Sequence, residues 1–410
     1  MLGSPPAQVG KKRPFARAAI MTTAYLFDAL RTPRGKARPD GGLAQFKPQE
    51  LVRQLCVVLD ERCGGDALAA DALLLGCVGQ VGAQGGNVAL VSKLYSGLPD
   101  TTSAYTLNNY CVSSLSAIGQ AAARVLAGQS ERVLAGGVEM MSRVAFMADG
   151  ADFYTDKDMP IRARYLPVAL AADRLAEAEH IDRAALDACA LESHRRAAAA
   201  ETQSKLIRSR VPIKAADGTT ALAADECVRP QTTLESLAAL KPAFADLAPM
   251  YAHALDRAID HRHTIAHAPP ICDGASLALV GVRSGSAHPR ARIVAYAELG
   301  GDPYASLLAG FDAMDRALAR AGMKLADIEY IEFMEAFAVT IAKFLRDRNV
   351  DPARVNVGGG HLAKGHPMGA SGGILLSSLL DVLEARDATT GMVVASGASG
   401  VGAAMIVERI

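Results

Sequence analysis

The sequence predicts an α/β protein made of two copies of one half-domain, and three observations carry that reading. The run Thr106-Leu107-Asn108 leads through Cys111 into the helical stretch 112–127 and the strand 132–137. The run Arg354-Val355-Asn356-Val357 leads through a glycine loop and His366 into the helical stretch 371–385 and the strand 392–397. The spacing between matched points is constant: Cys111 to His366 and Leu73 to Ile328 are each 255 positions apart (366 − 111 and 328 − 73). A thiol and an imidazole therefore sit at equivalent strand-to-helix corners.

The earlier elements match as well. Tyr25-Leu26-Phe27, the helical stretch 48–59 and the strand Leu73-Leu74-Leu75 find partners in Arg292-Ile293-Val294, the helical stretch 305–321 and 328–331. In the second helix Leu307, Leu308, Phe311, Met314 and Leu318 recur at helical spacing. Alternating strands and helices argue for sheets covered by helices. The run from Ile374 to Leu380 lacks a polar face, which predicts a helix buried between layers. Between the copies, residues 146–266 are rich in Ala, Arg, Asp and Glu, and read as an insertion covering the paired corners. The expected division is an extension 1–20, a first half 21–285 carrying the insertion, and a second half 286–410.

At 410 residues and 50% apolar, the chain is long enough to bury a large core. A formal net charge of zero gives no reason to expect a nucleic acid or membrane-surface partner. Seven cysteines without a CxxC pair suggest neither a disulfide framework nor a zinc site, and point to a reducing, cytoplasmic setting. The basic stretch 11–17 has no apolar segment behind it, so it does not read as a secretory signal. A disordered extension ahead of a natural start at Met21 is the expectation, with an organellar presequence as the alternative.

A cysteine ahead of a helix places its sulfur near unpaired N–H groups and the positive end of the helix dipole, which lowers a thiol pKa. Cys111 is thus a candidate nucleophile. His366 lies in Gly-His-Pro-x-Gly, where Pro367 stiffens the turn and the flanking glycines admit close approach. A neutral imidazole there can take the thiol proton.

Five blocks carry a family resemblance: Ala29 to Lys36, Asn109-Tyr110-Cys111-Val112-Ser113-Ser114, Gly136 to Ser142, Glu335-Ala336-Phe337-Ala338, and Gly365 to Gly372. In this order, over nearly the whole chain from Met21, the sequence resembles the thiolases. The resemblance implies two βαβαβαββ halves in a five-layer αβαβα sandwich with a loop domain inserted in the first half. It also implies acyl transfer through an acyl-cysteine, with coenzyme A or acyl-CoA as substrate, no permanently bound cofactor and no metal. By the same resemblance Cys111 is the nucleophile, His366 activates it, and the backbone N–H groups of Cys111 and Ala398 form the oxyanion hole. A homodimer or homotetramer is implied, with the strand near Asn108 and Asn109 at the subunit contact.

Two positions depart from the family pattern. Met334 stands where an asparagine or histidine helps hold an enolate-stabilising water, and a thioether cannot donate a hydrogen bond. Ser396 stands where a second cysteine acts as acid and base on the substrate α-carbon. The pantetheine-contacting segment matches 266–274, including Ala268, but Pro269 and Pro270 replace a small flexible pair; Phe337 remains to line that channel. Cys272 is expected near the ligand, and His361, where the family often has a small residue, has no assigned role. The leading expectation is cleavage or formation of a 3-oxoacyl-CoA. The alternatives are an acyltransferase or thioesterase without carbon–carbon chemistry, and a non-catalytic acyl-CoA-binding protein. A ketoacyl synthase shares the Gly-His-x-x-Gly-Ala block, but its lysine lies several residues upstream of the histidine, whereas Lys364 is two away.

Overall fold

The computed structural model describes residues 23–283 and 287–410. The expected extension, its basic stretch, Met21 and the 285/286 division lie outside them. The first copy runs β1 (Tyr25–Arg31), β2 (Gly35–Lys36), α1 (Pro48–Arg62), β3 (Ala72–Gly76), α2 (Val88–Ser96), β4 (Ser103–Leu107), α3 (Ser113–Leu126) and β5 (Arg132–Met140). An excursion follows with α4 (Val168–Ala178), α5 (Arg183–Ala200), the small hairpin β6 (Ile213–Lys214) and β7 (Thr220–Leu222), α6 (Leu234–Ala238) and α7 (Leu247–Met250). The chain then returns as β8 (Cys272–Gly281), antiparallel to β5 over nine residue pairs.

The second copy contains β9 (Ala291–Gly300), α8 (Ala309–Ala321), β10 (Tyr330–Phe333), α9 (Ala338–Asp347), α10 (His361–Lys364), α11 (Ser371–Ala385), β11 (Thr390–Gly397) and β12 (Val401–Arg409). The strands run β10-β11-β12-β9-β1-β8-β5-β3-β4, with β2 beside β8. The two sets join through β1 and β9, where Tyr25 stands against Arg292 and Leu26 against Ala291. Helices α3 and α11 pack on each other and on both sets, α1 and α2 cover the outside of the first, and α8 covers the second. The layers are therefore helix, sheet, helix, sheet, helix.

That central position explains the apolar run noted in the sequence. Met368–Ala385 is long and apolar enough by composition to cross a membrane, yet 83% of it is buried between the two strand sets. Helix α1 starts where the sequence indicates: Pro48 occupies the first turn, where its missing N–H costs nothing, and the Glu50 carboxylate accepts the Lys47 N–H at 2.6 Å.

The structure corrects the sequence at three places. Residues 354–357 do not form a strand; only Val355 bridges Ile331. Asn356 adopts φ +47 and pairs through its side chain instead, its Oδ1 accepting the Phe333 N–H at 2.7 Å and its Nδ2 donating to the Phe333 carbonyl at 2.9 Å. Helix α8 starts at Ala309, not 305, because Ser306 turns the chain with φ +55. Strands β8 and β12 and helix α2, unassigned in the sequence reading, are formed.

Candidate active site

Cys111 sits in the turn between β4 and α3, and side chains fix that turn. Tyr110 takes φ +45. The Ser113 hydroxyl donates to the Tyr110 carbonyl at 2.6 Å and accepts the Asn109 N–H at 2.8 Å. Asn109 Nδ2 donates to Ser116 and to Glu298 at 3.1 and 2.9 Å.

The electrostatics differ from the helix-entry expectation. Burial pushes the Cys111 thiol up to about 12; the Ala398 N–H and its own N–H pull it down, while Glu139 adds to the rise. Desolvation of the thiolate thus outweighs both N–H donors, that of Ala398 after β11 and that of Cys111 ahead of α3. At rest the sulfur is protonated.

The imidazole is neutral as well. Burial, reinforced by Arg34, depresses His366 to about 3. Its N–H donates to the Pro270 carbonyl at 2.8 Å, its Nδ1 pairs with the Ser371 hydroxyl at 2.7 Å, and its Nε2 has no partner among the described residues. Nε2 is therefore the ring atom left for a substrate or for Cys111. Gly365, at φ +99, is required here, because an added Cβ would lie 2.7 Å from the Cys272 sulfur.

Cys111, His366, Ala398, Ala268, Pro269 and Phe337 line one cavity of ≈ 360 Å³, together with apolar and aromatic groups that include Phe146, Phe244 and Ile271. Met334, Ser396 and Cys272 do not line it. Met334 is buried in the core at the end of β10. The Ser396 oxygen accepts the Gly310 N–H at 3.1 Å, so the side chain faces the start of α8. Cys272 is buried at the start of β8 on the side opposite Ile271, as strand alternation requires, and burial holds its thiol well above the usual range.

Three features escaped the sequence reading. Glu139, quoted only as part of a motif, accepts the N–H groups of Val78, Gly79 and Gly369 at 2.9, 3.1 and 2.9 Å, and so ties the loop after β3 to the loop after His366. Asp173 accepts the backbone N–H groups of Arg262 and His263 and pairs with the rings of His261 and His263 at 2.9 and 2.7 Å. Asp187 pairs with His267 at 2.7 Å. These two carboxylates clamp the segment leading into Ala268 and Pro269, and the available signal was the run of three histidines at 261, 263 and 267. Thirdly, the His361 ring stands edge-on to His366 at 5.1 Å, with both nitrogens unpartnered among the described residues. Near it Arg31 grips Asp225 through two bonds of 2.8 and 3.0 Å, and buried Lys364 faces Glu332, burial lowering the lysine and raising the glutamate.

A family model for the thiolase N-terminal domain matches residues 24–256, and one for the thiolase C-terminal domain matches 287–409. The chain belongs to the thiolase family. It is 33% identical over 401 residues to the 3-ketoacyl-CoA thiolase of Shewanella frigidimarina, covering 95% of this chain and all of that protein. The same figures hold for the 3-ketoacyl-CoA thiolase of Erwinia tasmaniensis. Among solved structures, the acetyl-CoA acetyltransferase of Bacillus anthracis superposes with a TM-score of 0.82 at 28% identity, covering 95% of this chain and 99% of that one. The thiolase fold and a thiolase-type acyltransferase activity are thereby shown.

Proposed function

We propose that this thiolase cleaves or forms 3-oxoacyl-CoA thioesters through an acyl group carried on Cys111. The observation that carries the proposal is the meeting of Cys111, the free Nε2 of neutral His366 and Ala398 in one cavity. In the cleavage direction His366 Nε2 takes the thiol proton as the sulfur attacks the C3 carbonyl. The C2–C3 bond then breaks, leaving the acyl chain on sulfur and an acetyl-CoA enolate whose C2 takes up the proton that left Cys111, so that His366 is neutral again. After acetyl-CoA leaves, a CoA thiol attacks the acyl-cysteine, its proton passes to His366 and from there to the departing Cys111 sulfur. Backbone N–H groups of Ala398 and Cys111, which already reach the sulfur, are placed to hold the oxyanion of each addition step. Phe337, Ala268 and Pro269 would line the pantetheine arm.

The division at 285/286, with 146–266 as the covering insertion, belongs to the same reading, as does a cytoplasmic setting, supported by seven cysteines that are all free. A homodimer or homotetramer is supported by β4, which ends the sheet with one edge unpaired among the described residues and exposes Tyr105. The test is purified protein with acetoacetyl-CoA and a longer 3-oxoacyl-CoA plus free CoA, following loss of the 3-oxoacyl chromophore. Absence of cleavage for both, in a folded protein, overturns the reading.

A further inference from the structure

The wall of the cavity is apolar apart from the reacting groups and a set of tyrosines. Tyr165 is 1% exposed and packs edge-on against Phe153, Tyr154 and Tyr251 at 5.8, 5.0 and 6.1 Å between ring centroids. Its two tyrosine neighbours have partners: the Tyr154 hydroxyl donates to Asp149 at 3.1 Å, and that of Tyr251 meets the Met147 sulfur at 3.9 Å. The Tyr165 hydroxyl, buried, has none among the described residues. Burial raises its pKa, with smaller contributions from Tyr251, Tyr110, Tyr154 and, last, Cys111.

A buried hydroxyl without a partner costs free energy in the empty protein, and a ligand that supplies the missing acceptor recovers it. A site arranged in this way discriminates strongly against the analogue lacking the polar group. Among the described residues no Asp, Glu, Lys or Arg lines the cavity, and the carboxylate of Asp149 lies nearby on Tyr154, so a charged chain would be desolvated without compensation. Resting on the acyl-thioester reading above, we infer that this thiolase is specific for acyl chains carrying a neutral oxygen function, a hydroxyl, carbonyl or ether, hydrogen-bonded by Tyr165.

The test reads binding and needs no turnover. S-octyl-CoA and its 5-, 6- and 7-hydroxy derivatives are thioethers that cannot acylate Cys111, and their dissociation constants are measured by calorimetry on the wild type and on Tyr165→Phe. At least one hydroxy derivative binds the wild type on the order of tenfold tighter than S-octyl-CoA, and Tyr165→Phe brings that ratio close to one. The free variant also melts no lower than the wild type, because it removes a group that has no partner. The inference is overturned if S-octyl-CoA binds at least as well as all three, if Tyr165→Phe leaves the ratio unchanged, or if the variant melts lower. Failure of the 3-oxoacyl-CoA cleavage assay alongside an intact binding preference would count against the proposed reaction alone.

Discussion

Replacing Ser396 with cysteine tests which atom limits the carbon–carbon step. By the family resemblance Ser396 stands at the place of a second cysteine, and Gly397, the next residue, abuts Cys111, the proposed nucleophile: an added Cβ there would lie 3.2 Å from the Cys111 nitrogen. The serine oxygen is committed to the Gly310 N–H and absent from the cavity wall. A thiol titrates near ~8.5 when free, whereas an aliphatic hydroxyl is a poor base unless activated. Positioned proton transfer contributes roughly 10²–10⁴-fold, so Ser396→Cys is expected to raise 3-oxoacyl-CoA cleavage by about 10²-fold, the low end, since burial also raises thiols in this protein. The weaker acceptor left for Gly310 costs about 1 kcal/mol of stability. The assay is kcat/KM for cleavage, run beside the rate at which an acyl-CoA adds its acyl mass to Cys111, which should change little. If the wild type already cleaves with kcat/KM on the order of 10⁴ M⁻¹s⁻¹ or more and Ser396→Cys leaves it unchanged, the argument from the departures is wrong and another group moves the α-proton.

Three further outcomes follow from the same geometry. With His366 depressed to about 3 and Cys111 raised to about 12, His366→Ala should make Cys111 alkylation by iodoacetamide climb about tenfold per pH unit from pH 7 to 10; a variant profile with no such rise would deny the raised thiol. Asp173 is raised by burial but lowered further by its bonds to His263 and His261, so its carboxyl stays below the ordinary 3.8. Its stabilising share is present above that value and is lost as pH falls through the folded pKa; Asp173→Asn should lower Tm at pH 7 and lose that share of the acid dependence, as thermal melts from pH 3 to 7 would reveal. Light scattering should find at least a dimer, and Tyr105→Lys with Leu94→Glu, both exposed near the free edge of β4, should shift it toward monomer; a wild-type monomer at micromolar concentration would contradict the edge-pairing argument.

The features legible in the sequence share one physical property: each is set by local pattern. Helix α11 was readable because the run from Ile374 to Leu380 lacks a polar face and has no place except between layers, and the corners at Cys111 and His366 because turn chemistry is written in glycine, proline and serine within a few residues. What the sequence concealed depends on contacts distant in the chain. Residues 354–357 have the composition of a strand, but Asn356 satisfies the Phe333 backbone from a turn, a bond across 23 positions that no local preference encodes. The thiol pKa went astray for a related reason. A helix start is local and argues for a lower value, whereas the burial that reverses it comes from both halves and the excursion closing over one sulfur. Cys272 illustrates the limit most sharply: matching places it in the pantetheine segment, yet one step of strand alternation puts Ile271 in the cavity and turns the thiol into the interior. Matching to a family locates a residue along the chain, and only the register of the strand decides which side of the wall its side chain is on.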